Sequence, residues 1–201
     1  YGSISVLREE LERGSLLGVK YLMTHLGSTK DLGEKKSLQK VVAGLEKILT
    51  DYQGSTQLLI EISSGSGAII GDTFEEVSEI IKNCKLKIEN CLGVCFDTAH
   101  AFESGYDLRD AKAVQKTFSQ FDKTIGLKKL KLIHLNDSKT ALGSHSDRHE
   151  DLGQGQIGLS GFSALIQYLQ KKKLDIDLIL ETPTDSRRKK DITLLKSLRD
   201  N

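Results

Sequence analysis

The sequence predicts an α/β fold, a TIM-type (β/α) barrel with about five of its eight βα units present, and three observations carry the prediction. Five apolar runs end on Asp, Glu or His: LMTH at His25, LLIE at Glu61, GVCFD at Asp97, KLIH at His134 and LILE at Glu181. The runs recur at steps of 36 (25 to 61), 36 (61 to 97), 37 (97 to 134) and 47 (134 to 181) residues, and a strand with its crossover helix and loops needs roughly 30 or more. Amphipathic stretches fill the intervals, so β and α alternate, the pattern of a parallel sheet covered by helices.

Taken in order, an amphipathic helix over 5–17 precedes the first strand, and helices over 37–52, 73–83, 110–124, 160–170 and 188–198 follow the five strands. Thr73 starts the third helix with Glu76 three residues on, a capping-box arrangement, and Ser160 is expected to open the fifth. Gly-rich segments follow the strands: SSGSG after Glu61, ESGYD after His100, and LGQGQIG before a helix. None is a P-loop, and glycine after a strand serves first to make a tight turn. Pro183, the single proline, stands directly after the last strand.

Composition narrows the class. At 201 residues, with 38% hydrophobic and 28% charged residues, the chain suits one globular domain over 1–201 and is too short for two of this type. No apolar stretch approaches the ~18 residues of a membrane span and no secretion signal is present, so no membrane partner and a cytoplasmic setting, nuclear or organellar in a eukaryote, are expected. Cys84, Cys91 and Cys95 form no CxxC pair and read as reduced thiols, with Cys95 a small core residue inside its strand. The net charge of +1 conceals basic runs at 128–131, 171–173 and 187–190. They read as solvated helix faces or as contacts to a phosphate backbone.

Parallel barrel strands deliver their C-terminal ends to one face, where the chemistry sits. Five ligand-type residues on that ring can converge on metal. The last step is longer than the others, and its excess holds DSKTALGSHSDRHEDLGQGQIG, a long loop on the functional face. Within it Asp147 and His149 stand two apart, a spacing that presents two ligands to one ion, and His100, three residues beyond Asp97, could complete a second cluster with them. Zinc takes such mixtures of imidazole nitrogen and carboxylate oxygen.

The strings GVCFDTAHAFESGYD, HLNDSKTALGSHSDRHEDLGQGQIG and LILETP resemble the signature segments of endonuclease IV, the zinc-dependent apurinic/apyrimidinic endonucleases. HLGS at His25 and IEISSGSG around Glu61 are similar to that family's two earlier motifs, and the resemblance runs in order through the whole chain. It implies three zinc ions: Glu61 bridging two of them, His25 on one, Asp97, His134 and Glu181 on the other, and His100, Asp147 and His149 on the third. Glu61 or Glu181 would take the proton from the attacking water. The implied reaction is cleavage of the phosphodiester 5′ to an abasic site in double-stranded DNA, leaving a 3′ hydroxyl, with trimming of blocked 3′ ends also known in the family. The implied protein is a monomer when complete.

The chain departs from the family pattern at Leu26, where proline is usual, and at Ser63 and Ser64, where Asn and Thr or Ala are usual; neither change removes a ligand. His145 matches no family ligand and reads as an exposed loop histidine. Two other functions compete: a metal-dependent sugar isomerase or epimerase on the same barrel, and a non-catalytic relic of the endonuclease fold. The Asp147–His149 loop speaks against the first, because proton transfer needs no third ion, and eight retained ligands speak against the second.

Three features predict that these residues are the later part of a longer polypeptide. The chain opens on Tyr1 with a helix where a barrel opens on a strand, five strands are readable, and the length falls below the ~250 residues typical of the fold. The absent part would hold three strands and one further histidine for the His25 ion. The fragment alone is expected to aggregate or to show weak activity.

Overall fold

The computed structural model describes residues 2–85, 92–182 and 185–200, so Cys91 and Pro183 lie outside the described residues. Four of the five apolar runs form strands with their ligand-type residue at or next to the C-terminal end. These are β1 (Tyr21–Thr24), β2 (Gln57–Glu61), β3 (Leu92–Asp97) and β4 (Leu130–His134). The fifth run gives β7 (Asp177–Ile179), with Glu181 two residues beyond its end. All five are parallel, in the order β1-β2-β3-β4-β7.

The helices fall into the intervals as the amphipathic stretches predict: α1 (Gly2–Leu16), α2 (Glu34–Leu49), α3 (Phe74–Asn83), α5 (Ala111–Thr124), α6 (Gly158–Lys172) and α7 (Asp185–Asp200). Each packs on the next around one side of the sheet. The result is an incomplete TIM barrel: a curved parallel sheet with helices on its convex side.

Side chains alternate across each strand, and here the alternation sorts core from site. Leu58, Ile60, Val94, Phe96 and Ile133 face the helices, where Phe96 meets Phe118 of α5 at 5.0 Å and Phe74 of α3 at 6.2 Å. On the concave side Leu59, Cys95 and Leu132 form a separate apolar layer with Tyr21 and Met23. Two residues further along each strand, on the same face, come His25, Glu61, Asp97 and His134. Apolar floor and polar rim are therefore one face read at period two.

One irregularity makes this work. Between β3 and β4 the register jumps from Val94↔Leu130 to Cys95↔Leu132, so Lys131 is an extra residue. A one-residue slip exchanges the faces of a strand, and this bulge brings Leu132 and His134 to the concave side opposite Cys95 and Asp97. Gly93 sits beside it because a Cβ there would come within 2.8 Å of both Leu59 and Lys131 side chains.

Five short elements among the described residues were not expected from the sequence: the helix α4 (Thr98–Glu103), the antiparallel pair β5 (Asp137–Ser138) and β6 (His149–Glu150), and single 3-10 turns at Ser66–Ala68 and Leu127–Lys129. A six-residue helix and two-residue strands are too short to show a period. Two capping expectations are corrected. Thr73 Oγ1 accepts the Glu76 N–H at 3.2 Å, but Glu76 reaches back to the Gly71 N–H at 2.8 Å instead of the Thr73 N–H. Ser160 does not open α6, which begins at Gly158 without a side-chain cap of its own. Asp137, distant in sequence, accepts the Ile157 and Gly158 N–H groups.

The basic runs are also redistributed. Residues 128–131 and 171–173 lead into β4 and β7 and so lie at the N-terminal end of the sheet, away from the ligand-type residues. Residues 187–190 follow β7 on the other side.

Candidate metal centre

Eight ligand-type side chains gather at the C-terminal end of the sheet. Glu61, at the end of β2, is central: its Oε1 lies 3.0 Å from His134 Nδ1 and 3.7 Å from His100 Nδ1, and its Oε2 lies 3.7 Å from His25 Nε2. His134 Nδ1 also lies 3.0 Å from Glu181 Oε2 and 3.8 Å from Asp97 Oδ2. Glu61, Asp97, His134 and Glu181 each offer an atom within 4.8 Å of the others, as do His25, Glu61 and His100.

A second grouping forms where α4 meets the long loop. Asp97 ends β3 and caps α4 by accepting the His100 N–H at 2.9 Å. Its other oxygen lies 3.8 Å from His149 Nε2. His100 Nδ1 donates to the Ile62 carbonyl at 3.1 Å, which turns Nε2 toward the loop. That Nε2 lies 3.2 Å from Asp147 Oδ1 and 3.1 Å from His149 Nε2. Two imidazole nitrogens facing each other beside a carboxylate are a donor set for a cation, and the Nδ1 donation to Ile62 turns the other ring nitrogen of His100 toward Asp147 and His149.

Charge in the site is arranged around His134. Burial opposes its protonation, but hydrogen bonds to Cys95, Glu181 and Glu61 outweigh this and push it up to about 12. The same His134 contact holds Glu181 down at about 2. Carboxylates gathered this closely favour a positive charge among them. For His100, burial also opposes the charge, and Asp97, Glu61 and Asp147 together raise the ring above its ordinary value. Four carboxylates and imidazoles buried this closely, Glu61, Asp97, His100 and His134, fit a divalent cation by the chemistry of their donors.

The eight side chains are held by polar residues that carry no ligand-type pattern in the sequence. Asn136, fully buried, donates to Asp97 Oδ2 at 2.6 Å and to Glu181 Oε2 at 3.4 Å, and accepts the Glu181 backbone N–H at 2.9 Å. Asp137 accepts N–H groups from Ser138, Gly153, Gly155, Ile157 and Gly158, gathering the LGQGQIG segment. Burial nevertheless pushes its carboxyl up. Gly155 is required there, since a Cβ would collide with the Ser138 carbonyl and the Asp137 carboxylate. Asn136 and Asp137 show one sequence signal, a pair of polar residues two positions beyond the end of an apolar strand. His145 is exposed as expected, yet it is not free: its Nδ1 meets the Ser64 carbonyl at 3.0 Å.

Comparison with known proteins supplies the family. A family described as xylose isomerase-like TIM barrel matches residues 2–200. Among curated relatives, a probable endonuclease 4 of Nitrosopumilus maritimus is 44% identical over 92% of this chain, and one of Halothermothrix orenii is 39% identical over 98%. The chain spans 65% and 69% of their respective lengths. The crystal structure of endonuclease IV from Thermus thermophilus superposes with a TM-score of 0.77 at 32% identity, covering 98% of this chain and 67% of that one. A D-tagatose 3-epimerase-like protein superposes with a TM-score of 0.75 at 22% identity, covering 98% of this chain and 68% of that one, a likeness of fold alone. With these matches on top of the strand-end ligands, the chain belongs to the endonuclease IV family.

Proposed function

We propose that residues 1–201 form one domain bearing the catalytic centre of a zinc-dependent DNA repair endonuclease that cuts the phosphodiester 5′ to an abasic site. The observation that carries this reading is the third donor set, His100, Asp147 and His149, built beside the Glu61, Asp97, His134 and Glu181 quartet. In the assignment we favour, Glu61 lies between the His25 side and the quartet, and its two oxygens face different partners.

Clustered divalent ions, when bound, supply water activation and stabilise charge on the phosphoryl and leaving oxygens. The chain's own residues do the rest. Asp97 and Glu181 are oriented through Asn136. We assign acceptance of the water's proton to Glu61 or Glu181; the His134 contact holds Glu181 low. Lys139 and Arg148 flank β5 and β6 beside the centre, and residues 187–190 follow β7 at the same end, where they suit contacts to DNA phosphates.

A sugar isomerase or epimerase is the rival on fold. Proton transfer within a sugar gives the third donor set no task, which is why the endonuclease reading is preferred. The test is incubation of the zinc-loaded chain with a duplex carrying one synthetic abasic site, with and without chelator, together with salt-dependent binding. Chelator-sensitive cleavage on the 5′ side, with binding that weakens steeply as salt rises, is expected. A metal-loaded chain that neither cuts this duplex nor binds it in preference to an intact one would overturn the proposal.

A further inference from the structure

The loop that carries Asp147 takes an unusual path. Gly143, His145 and Asp147 all stand at positive φ, at 73°, 50° and 59°. Glycine does this freely, whereas His145 and Asp147 must be held there by their surroundings. The holder is the C-terminal end of α4. The Phe102 carbonyl accepts the Gly143 N–H at 3.1 Å, and the Glu103 carbonyl accepts the His145 N–H at 3.0 Å.

The Glu103 side chain does more. It is fully buried. Its Oε2 accepts the Asp147 N–H at 2.6 Å, and both oxygens lie 3.3 Å from the Arg148 N–H. Its Oε1 accepts the Ser138 hydroxyl at 2.7 Å and the Thr140 hydroxyl at 2.8 Å. A carboxylate has about four acceptor positions, and all of these are met by donors from β5 and the loop that follows it. A buried carboxylate is costly unless so satisfied. Its place in the core is therefore explained by the loop it gathers.

We propose that Glu103 is a positioning residue that sets Asp147 and His149 against His100. The inference rests on reading this site as a metal centre. His100 and Glu103 are three residues apart, neighbours on one side of α4. One short helix thus fixes both halves of the third donor set: it carries His100 itself, and through Glu103 it pins the backbone from which Asp147 reaches His100 Nε2 at 3.2 Å. Replacing Glu103 should leave the quartet around His134 untouched, because none of those four residues bonds to it among the described contacts.

The test compares wild type, Glu103→Ala and His149→Ala by zinc competition against a fluorescent chelator and by backbone amide exchange. Glu103→Ala should weaken the same single equivalent of zinc that His149→Ala removes by at least tenfold, the usual scale for a residue behind a ligand, with the remaining zinc held as in wild type. The Asp147 and Arg148 amides should exchange slowly in wild type and quickly in Glu103→Ala. Wild-type zinc affinity in a folded Glu103→Ala protein, or equal weakening of every zinc equivalent, would overturn the proposal. Should Glu103→Ala fail to fold, the wild-type amides decide: rapid exchange at Asp147 and Arg148 rejects the role and slow exchange upholds it. If His149→Ala costs no zinc at all, the metal-centre reading fails instead, and amide exchange still reports on Glu103.

Discussion

The Asn136 side-chain amide donates to Asp97 Oδ2 at 2.6 Å across the exits of β4 and β3. The same side chain takes the Glu181 N–H at 2.9 Å, so one buried amide ties three strand ends together. Asn136→Leu should strand the Asp97 oxygen and the Glu181 N–H, at about 1–3 kcal/mol for each buried group left without a partner. Chemical denaturation of the metal-free protein measures this, and a change below about 0.5 kcal/mol, the level of an ordinary surface substitution, would contradict it.

Asp147→Ala and His149→Ala should each remove one metal ion and leave the fold intact, because both side chains lie on the loop and not in the core. Losing one metal-mediated contact in the transition state should cost several kcal/mol, about a thousandfold in cleavage rate. Zinc stoichiometry and single-turnover cleavage measure the two effects separately. Unchanged stoichiometry in both variants would remove the third donor set from the site.

Gly93→Ala probes the bulge that turns His134 inward. A Cβ at this position meets Leu59 and Lys131 at 2.8 Å and the Lys129 carbonyl at 3.2 Å. The Lys131 chain can swing away, but Leu59 is packed in the concave layer and the carbonyl is backbone. A loss of about 1–3 kcal/mol is expected, the range for overpacking a core. A melting temperature equal to that of wild type would show that the strand pair absorbs the methyl group freely.

Burial pushes the Cys84 thiol up to about 11, with Glu46 adding to the effect. The thiol is neutral in both folded and unfolded chains below its ordinary value of 9.0, so its contribution favours the fold there and is lost as pH rises through about 11. The raised value also leaves roughly a hundredfold less thiolate near pH 8 than an ordinary thiol holds, and thiolate is the reactive form. Iodoacetamide labelling of Cys84 should therefore be much slower in the folded protein than in denaturant. Equal rates in the two states would refute it.

Strand ends, their even spacing and the Asp147–His149 pair determined a great deal from the sequence alone: the parallel α/β class, the order of the strands along the chain, and all eight ligand-type residues. They were legible because side-chain alternation and βα spacing are local properties, carried by short windows of residues. The tertiary structure decided what depends on contacts between distant segments. The Lys131 bulge cannot be seen in a run such as KLIH, yet it places His134 beside Asp97. Asn136, Asp137 and Glu103 are ordinary polar letters until strands and loop ends bring donors to them from 16 to 45 residues away, distances over which no sequence period carries information. The turn of His100 toward Asp147 and His149 depends on the Ile62 carbonyl arriving from a neighbouring strand exit. Local chemistry chose the ligand-type residues, and long-range hydrogen bonding chose their partners.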